Sequence, residues 1–99
     1  MQLDDGGRGS LLSPYDVSRE TSAQLDTYAA LLVEQQRILN LVGPATIPKL
    51  WHRHMLDSAQ LLDHVPGTAS DVLDLGSGAG FPALVMAILR PELRVTAVE

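Results

Sequence analysis

The sequence predicts an α/β protein in which an N-terminal helical subdomain precedes one βαβ unit. Three observations lead to this prediction. Apolar residues recur at helical spacing over residues 18–65, and the periodicity then shortens to a strand-like run at residues 71–75. A glycine-rich turn separates that run from a second apolar helix and a second strand, which is the order of a βαβ unit. Two neighbouring parallel strands are therefore expected.

The first 17 residues are expected to form a flexible leader, because they hold three glycines in four positions together with charge and show no periodicity. The first helix is expected to begin at Ser18, whose side chain can cap it, and to continue to the Gly-Pro pair at residues 43–44. Its apolar face starts at Leu25 and repeats three, four and seven residues later. This face, which includes Tyr28, is expected to form core.

A second helical segment is expected from Thr46 to the Pro-Gly pair at residues 66–67. A break near residues 56–57, with Asp57 or Ser58 as the cap, is expected to divide it. Residues 18–66 are therefore assigned to one helical subdomain.

The last third of the chain is assigned to the first βαβ unit of an incomplete domain. Residues 71–75 have the apolar, β-branched character of a buried parallel strand. A helix is expected over residues 81–89 and a second strand over residues 94–99. Because the chain stops within that strand, residues 67–99 are interpreted as part of a larger domain.

Composition excludes several classes of protein. Hydrophobic residues make up 45% of the chain, as in globular proteins, and there is no cysteine for a disulfide, a zinc ribbon or a thiol nucleophile. A net charge of −5 argues against a free-standing nucleic-acid binder if the chain is complete. No apolar run approaches the ~18 residues of a membrane span, and the acidic N-terminus lacks the basic-then-apolar order of a signal peptide, so we expect a cytoplasmic protein that does not enter a membrane.

The glycine-rich turn is the most informative motif. Residues 74–80 read D-L-G-S-G-A-G between a strand and a helix, a place where glycines let an anionic ligand approach the helix N-terminus. The dinucleotide fingerprint G-x-G-x-x-G does not fit, because its third glycine falls on Phe81. Glu99, at the end of the second strand, is placed to accept hydrogen bonds from ribose hydroxyls. The alternative is a purely structural turn.

The acidic-x-G-x-G-x-G pattern resembles the first motif of Rossmann-like S-adenosylmethionine methyltransferases. Three segments together resemble the bacterial RsmG (GidB) family more narrowly: N-L-V at residues 40–42, R-H-M-L-D-S at 53–58 and G-S-G-A-G-F-P at 76–82. The resemblance runs from about residue 18 to the end of the chain. Three departures stand out: Ala83 replaces a usual glycine, Gln35-Gln36 replaces a Trp-Asn pair, and the chain is short.

The resemblance implies a Rossmann-like fold, truncated after its first βαβ unit, that binds S-adenosylmethionine and methylates ring nitrogen 7 of a guanine in 16S ribosomal RNA. It implies that Gly76 and Phe81 touch the cofactor, that Asp74 steers its amino-acid end through water, and that Glu99 binds the ribose. The other two glycines, Gly78 and Gly80, permit close approach. No catalytic residue is assigned, because ring nitrogen 7 carries a free lone pair and needs no general base; positioning then supplies the catalysis.

Two roles are open for Arg53. An ion pair with Asp57, four residues later on a helix, is favoured over a contact with an RNA phosphate. His52 and His54 lie two residues apart and so point to different helix faces, which argues against a metal site. His54 is interpreted as a hydrogen-bonded packing residue, and Trp51 as core.

Several hypotheses remain. The leading one is the N-terminal part of a 16S ribosomal RNA methyltransferase that acts on the small ribosomal subunit and is a monomer at full length. The alternatives are a methyltransferase of the same fold with a protein or small-molecule substrate, a nicotinamide-dependent oxidoreductase, and a non-catalytic fragment. The 99 residues alone are expected to be inactive and poorly stable.

Overall fold

The structure, a computed structural model, describes residues 17–99, so the predicted leader lies outside the described residues except for its last position. Helix α1 spans Arg19–Gln36. The predicted cap is confirmed, because the Ser18 hydroxyl accepts a hydrogen bond from the Thr21 amide at 3.2 Å. The predicted apolar face is confirmed as well: its buried members are Leu25, Ala29 and Leu32.

The prediction that the first helix continues to residues 43–44 is wrong. The helix ends at Gln36 because the side-chain amide of Gln36 bonds the residues that follow, in place of the backbone bonds of another helical turn. Its Oε1 accepts hydrogen bonds from the Leu41 and Val42 amides at 3.0 and 3.1 Å. Its Nε2 donates to the Val42 carbonyl and to Asn40 Oδ1, both at 2.9 Å. The chain therefore turns back, and Ile38, expected on the apolar face, is 77% exposed.

The second helical segment is irregular. It consists of a 3-10 helix at Pro44–Lys49, a π-helix at Trp51–Leu56, the short helix α2 at Asp57–Gln60 and a 3-10 helix at Leu61–His64. The predicted break near residues 56–57 is confirmed as the change from π to α geometry. The predicted cap is wrong, because Leu56 precedes α2 without a side-chain hydrogen bond and Ser58 is buried.

The predicted βαβ unit is confirmed. Strands β1 (Asp71–Leu75) and β2 (Arg94–Val98) pair in parallel, in register from Asp71 opposite Arg94 to Leu75 opposite Val98. Helix α3 (Ala83–Leu89) connects them and begins two residues later than expected, so that Phe81 and Pro82 belong to the turn. The carboxyl ends of both strands therefore lie at one edge of the sheet, beside the glycine-rich turn.

The core lies between the helices and one face of the sheet. Val85 of α3 packs into the cluster formed by α1 and the segment around Trp51. A smaller cluster lies next to the inner-face valines of both strands; its buried members are Leu62, Met86 and Leu93. The expectation of a fully buried strand is wrong for the opposite face, because alternation turns Leu73 and Leu75 outward, where they are 61% and 73% exposed.

Candidate functional site

The glycine-rich turn follows directly after β1, and its first residues are hydrogen-bonded to the end of β2. The amides of Gly76 and Ser77 both donate to the Val98 carbonyl, at 2.6 and 3.3 Å. The three glycines at positions 76, 78 and 80 have φ values of 73°, 53° and 103°. The turn is thus tied to both strands at the sheet edge where their carboxyl ends meet.

Gly80 is required by packing inside the protein. A Cβ at this position would lie 2.6 Å from Leu84 Cδ1 and 2.8 Å from the Tyr28 hydroxyl, too close for either neighbour. Its φ of 103° is also one that side chains with a Cβ rarely adopt. By contrast, a Cβ on Gly76 would meet nothing within 4 Å, so this part of the turn faces open space.

The two acidic residues expected at the site lie on either side of the turn. Asp74 is half-buried, and its Oδ2 accepts a hydrogen bond from the Ala83 amide at 3.2 Å, which joins β1 to the start of α3. The Glu99 carboxylate approaches the middle of the turn: its Oε2 lies 3.9 Å from the Cβ position of residue 78. The structure therefore brings Asp74, Gly78 and Glu99 together at one sheet edge.

The aromatic ring of Phe81 lies beside two rings from the helical region. The Tyr28 ring centroid is 5.2 Å away at a tilt of 31°, and the His54 ring stacks at 5.0 Å and 23°. The Tyr28 hydroxyl donates to the Ala79 carbonyl at 2.8 Å, and burial raises the pKa of this phenol, so it stays protonated. Helical spacing predicted that Tyr28 belongs to the core. It did not predict the contact with the turn, because spacing indicates only the side of the helix on which a residue lies.

His54 is held by a hydrogen bond, as expected for a packing residue. Its Nε2 lies 2.8 Å from Thr46 Oγ1. The threonine hydroxyl donates its hydrogen to the Gly43 carbonyl at 2.6 Å, so the imidazole must be the donor and carries its proton on Nε2. Burial lowers the pKa of His54 and the charge of Arg53 adds to this, while Asp57 opposes it. The imidazole is therefore neutral at pH 7.

A cleft of about 560 Å³ opens next to the Phe81 ring. It is lined by Arg53, His54, Asp57, Ser58, Gln60, Leu61, His64, Phe81 and Pro82. The ion pair expected between Arg53 and Asp57 is wrong: both side chains line the cleft, but among the described residues they are not within ion-pair distance.

Residues 17–99 contain neither a metal-binding cluster nor a membrane-spanning helix. No three histidine or acidic side chains in this part of the chain come together in a way that could hold a metal ion. None of its helices has the length and apolar character needed to cross a membrane.

Comparison with known proteins identifies a matching family model and similar curated proteins. The family model described as "rRNA small subunit methyltransferase G" (GidB) matches residues 21–99. A protein of Methylobacterium sp. strain 4-46 named ribosomal RNA small subunit methyltransferase G is 55% identical over an alignment 96 residues long, which covers 93% of this chain and 45% of the relative. A protein of the same name from Paramagnetospirillum magneticum is 54% identical over 83 residues, 84% of this chain and 40% of the relative.

The chain thus spans less than half the length of these curated relatives. The family model matches most of the chain, from the first turn of α1 through the glycine-rich turn to Glu99. By these matches, the chain belongs to the GidB family of ribosomal RNA small subunit methyltransferases G.

Proposed function

We propose that this chain is part of an enzyme that transfers a methyl group from S-adenosylmethionine to ring nitrogen 7 of a guanine in 16S ribosomal RNA. Membership of the family supports the reaction class and the RNA substrate. The observation that supports S-adenosylmethionine as the cofactor is that the glycine-rich turn and the Glu99 carboxylate lie together at one sheet edge. The whole protein is expected to act in the cytoplasm, as a monomer, on the small ribosomal subunit.

The residues at this edge fit a nucleoside cofactor. Glu99 offers carboxylate oxygens that accept hydrogen bonds, which suits the two hydroxyls of a ribose. Open space beside Gly76 leaves room for a ligand against the backbone, and Phe81 adds an apolar surface. Gly78 keeps the space next to Glu99 free of a side chain. When bound, S-adenosylmethionine supplies an electrophilic methyl group on its sulfonium.

Asp74 has a less direct role in this proposal. Its Oδ2 bonds the Ala83 amide, so the carboxylate fixes the start of α3. The same carboxylate is half-buried and can accept a water-mediated hydrogen bond from the amino-acid end of the cofactor through its remaining lone pairs. Gly80 contributes by allowing the close packing of the turn on Tyr28.

Methyl transfer to ring nitrogen 7 requires little chemistry from side chains. That nitrogen has a free lone pair and no proton to remove, so the protein has to align it with the methyl group and to exclude water. Arg53 is exposed at the cleft and is not paired with Asp57, which favours the phosphate-binding role that we propose for it. The subdomains proposed are residues 18–66 and 67–99, the latter as the start of the cofactor-binding domain.

The test is a Gly78→Val variant of the protein at the full length of its relatives. We expect it to fold and to lose detectable binding of S-adenosylmethionine in calorimetric titration. Valine would occupy the space beside Glu99 and would be strained at a φ of 53°. The matched control is Gly67→Val, because that glycine lies outside the turn and a Cβ there meets nothing within 4 Å. Unchanged affinity in folded Gly78→Val would contradict a cofactor role for the turn.

A further inference from the structure

We propose that His54 is a positioning residue of the cofactor site that holds the Phe81 ring next to the glycine-rich turn. The inference rests on the proposed function, since Phe81 is one of the residues assigned to the cofactor. Its basis is the stacked contact between the two rings, with centroids 5.0 Å apart and planes 23° from parallel. His54 lies in the π-helix at Trp51–Leu56, so a residue of the helical region acts on the turn.

The imidazole is held in one orientation by its hydrogen bond with Thr46. Its Nε2 donates to Thr46 Oγ1 at 2.8 Å, and the same hydroxyl donates onward to the Gly43 carbonyl at 2.6 Å. This chain of hydrogen bonds runs from one backbone carbonyl to one ring. It fixes the plane of the imidazole, and the stacked geometry then fixes the plane of the Phe81 ring.

The turn before Phe81 is held separately. Tyr28 bonds the Ala79 carbonyl and packs on Gly80, and it contacts the Phe81 ring at a centroid distance of 5.2 Å. Tyr28 is therefore required for the turn itself, whereas His54 contacts only the ring that follows it. A change at His54 is expected to loosen the ring and to leave the backbone bonds of the turn in place.

The same arrangement explains why a histidine with a neutral ring suits this place. The imidazole lines the cleft together with Arg53, Asp57 and His64, so the ring borders this cleft and also stacks on Phe81. A ring that is planar, donates one hydrogen bond and carries no charge beside Arg53 satisfies each of these neighbours.

The experiment compares His54→Ala with His54→Phe in the protein at the full length of its relatives. For alanine we expect a Kd for S-adenosylmethionine about three- to tenfold higher, the range of one aromatic pair contact. In methyl transfer we expect KM for the cofactor to rise while kcat and KM for ribosomal RNA stay near those of the unchanged protein. Phenylalanine keeps the stacked ring but loses the hydrogen bond to Thr46, so it should restore only part of the affinity.

His52→Ala is the matched control, because this exposed residue lies on the same helix outside the cleft. We expect the Kd of this variant for S-adenosylmethionine to be unchanged. A folded His54→Ala protein with unchanged affinity would overturn the inference. Should alanine prevent folding, Thr46→Val decides: it keeps the imidazole and removes its acceptor, and unchanged affinity in that variant overturns the inference equally. If the unchanged protein fails to bind S-adenosylmethionine, the proposed function falls instead.

Discussion

The helical region up to residue 66 and the βαβ unit after it differ in how they bury apolar surface. In the helical region, Leu25, Leu50 and Met55 are fully buried in a cluster that also takes in Val85 of α3. In the βαβ unit the inner face of the sheet is covered, but Leu73 and Leu75 on the outer face are exposed. The helical region thus closes its core with the help of α3, whereas a two-stranded sheet leaves one face to the solvent.

This difference bears on where the site lies. The turn belongs to the βαβ unit, yet its neighbours Tyr28 and His54 belong to the helical region. The better-packed region therefore supports the part of the less well-packed one that faces the proposed cofactor.

The largest effect is expected for the 99 residues by themselves. We expect no methyl transfer to undermethylated small ribosomal subunits and no cooperative thermal transition above about 45 °C, the lower end for mesophile domains. The exposed outer face should also cause association, which sedimentation velocity would detect. Leu73→Thr on that face should reduce the association, whereas Leu93→Thr in the buried cluster should increase it. Turnover together with a cooperative transition would show that these residues suffice.

The second effect concerns the contact between the two regions. Gly80→Ala in the full-length protein should destabilise it by about 3 kcal/mol, because its Cβ meets Leu84 and Tyr28 and its φ is strained. Gly76→Ala is the matched comparison and should cost about 1 kcal/mol, since strain acts there without a clash. Urea unfolding measures both. Equal losses in the two variants would mean that packing on the helical region adds nothing.

The smallest effect is a pH dependence at His54. Its pKa in the folded protein lies below the ordinary 6.5, so the unfolded chain takes up a proton first as the pH falls. Stability is therefore full above about pH 6.5 and declines below it, toward the pKa of the folded state. Urea midpoints at about pH 7.5 and 5.5 should differ more in the unchanged protein than in His54→Phe. Arg53, Asp57 and His64 flank the ring in both proteins, so an identical pH response would exclude the imidazole as its source.

The sequence predicted the βαβ unit better than the helices. A five-residue apolar run, a glycine-rich turn and a second run admit few arrangements, and the parallel pairing follows from the connection. The end of α1 could not be predicted, because it depends on hydrogen bonds that one side chain makes with residues up to six positions ahead. The π-helix at Trp51–Leu56 likewise could not be predicted from the periodicity, and the expected ion pair of Arg53 with Asp57 does not form.

The site shows the same division. The motif placed Asp74, Gly78 and Glu99 at one sheet edge, which local order and the rules of parallel sheets allow. It did not indicate that Tyr28 and His54 would meet Phe81, because that contact depends on how two regions pack. The motif indicates which residues we propose to face a ligand, and tertiary packing decides which residues contact them from the helical region.

The way α1 ends has a consequence for which substitutions of Gln36 the protein can tolerate. The Gln36 amide accepts from two N–H groups with its oxygen and donates to two oxygens with its nitrogen. Glutamate can only accept and lysine can only donate, and each is a single nucleotide away from glutamine in the genetic code. Either change would remove half of these bonds, although the residue touches neither the turn nor the cleft. The direction in which the chain leaves its first helix therefore depends on the amide side chain of Gln36, which a single nucleotide change can replace.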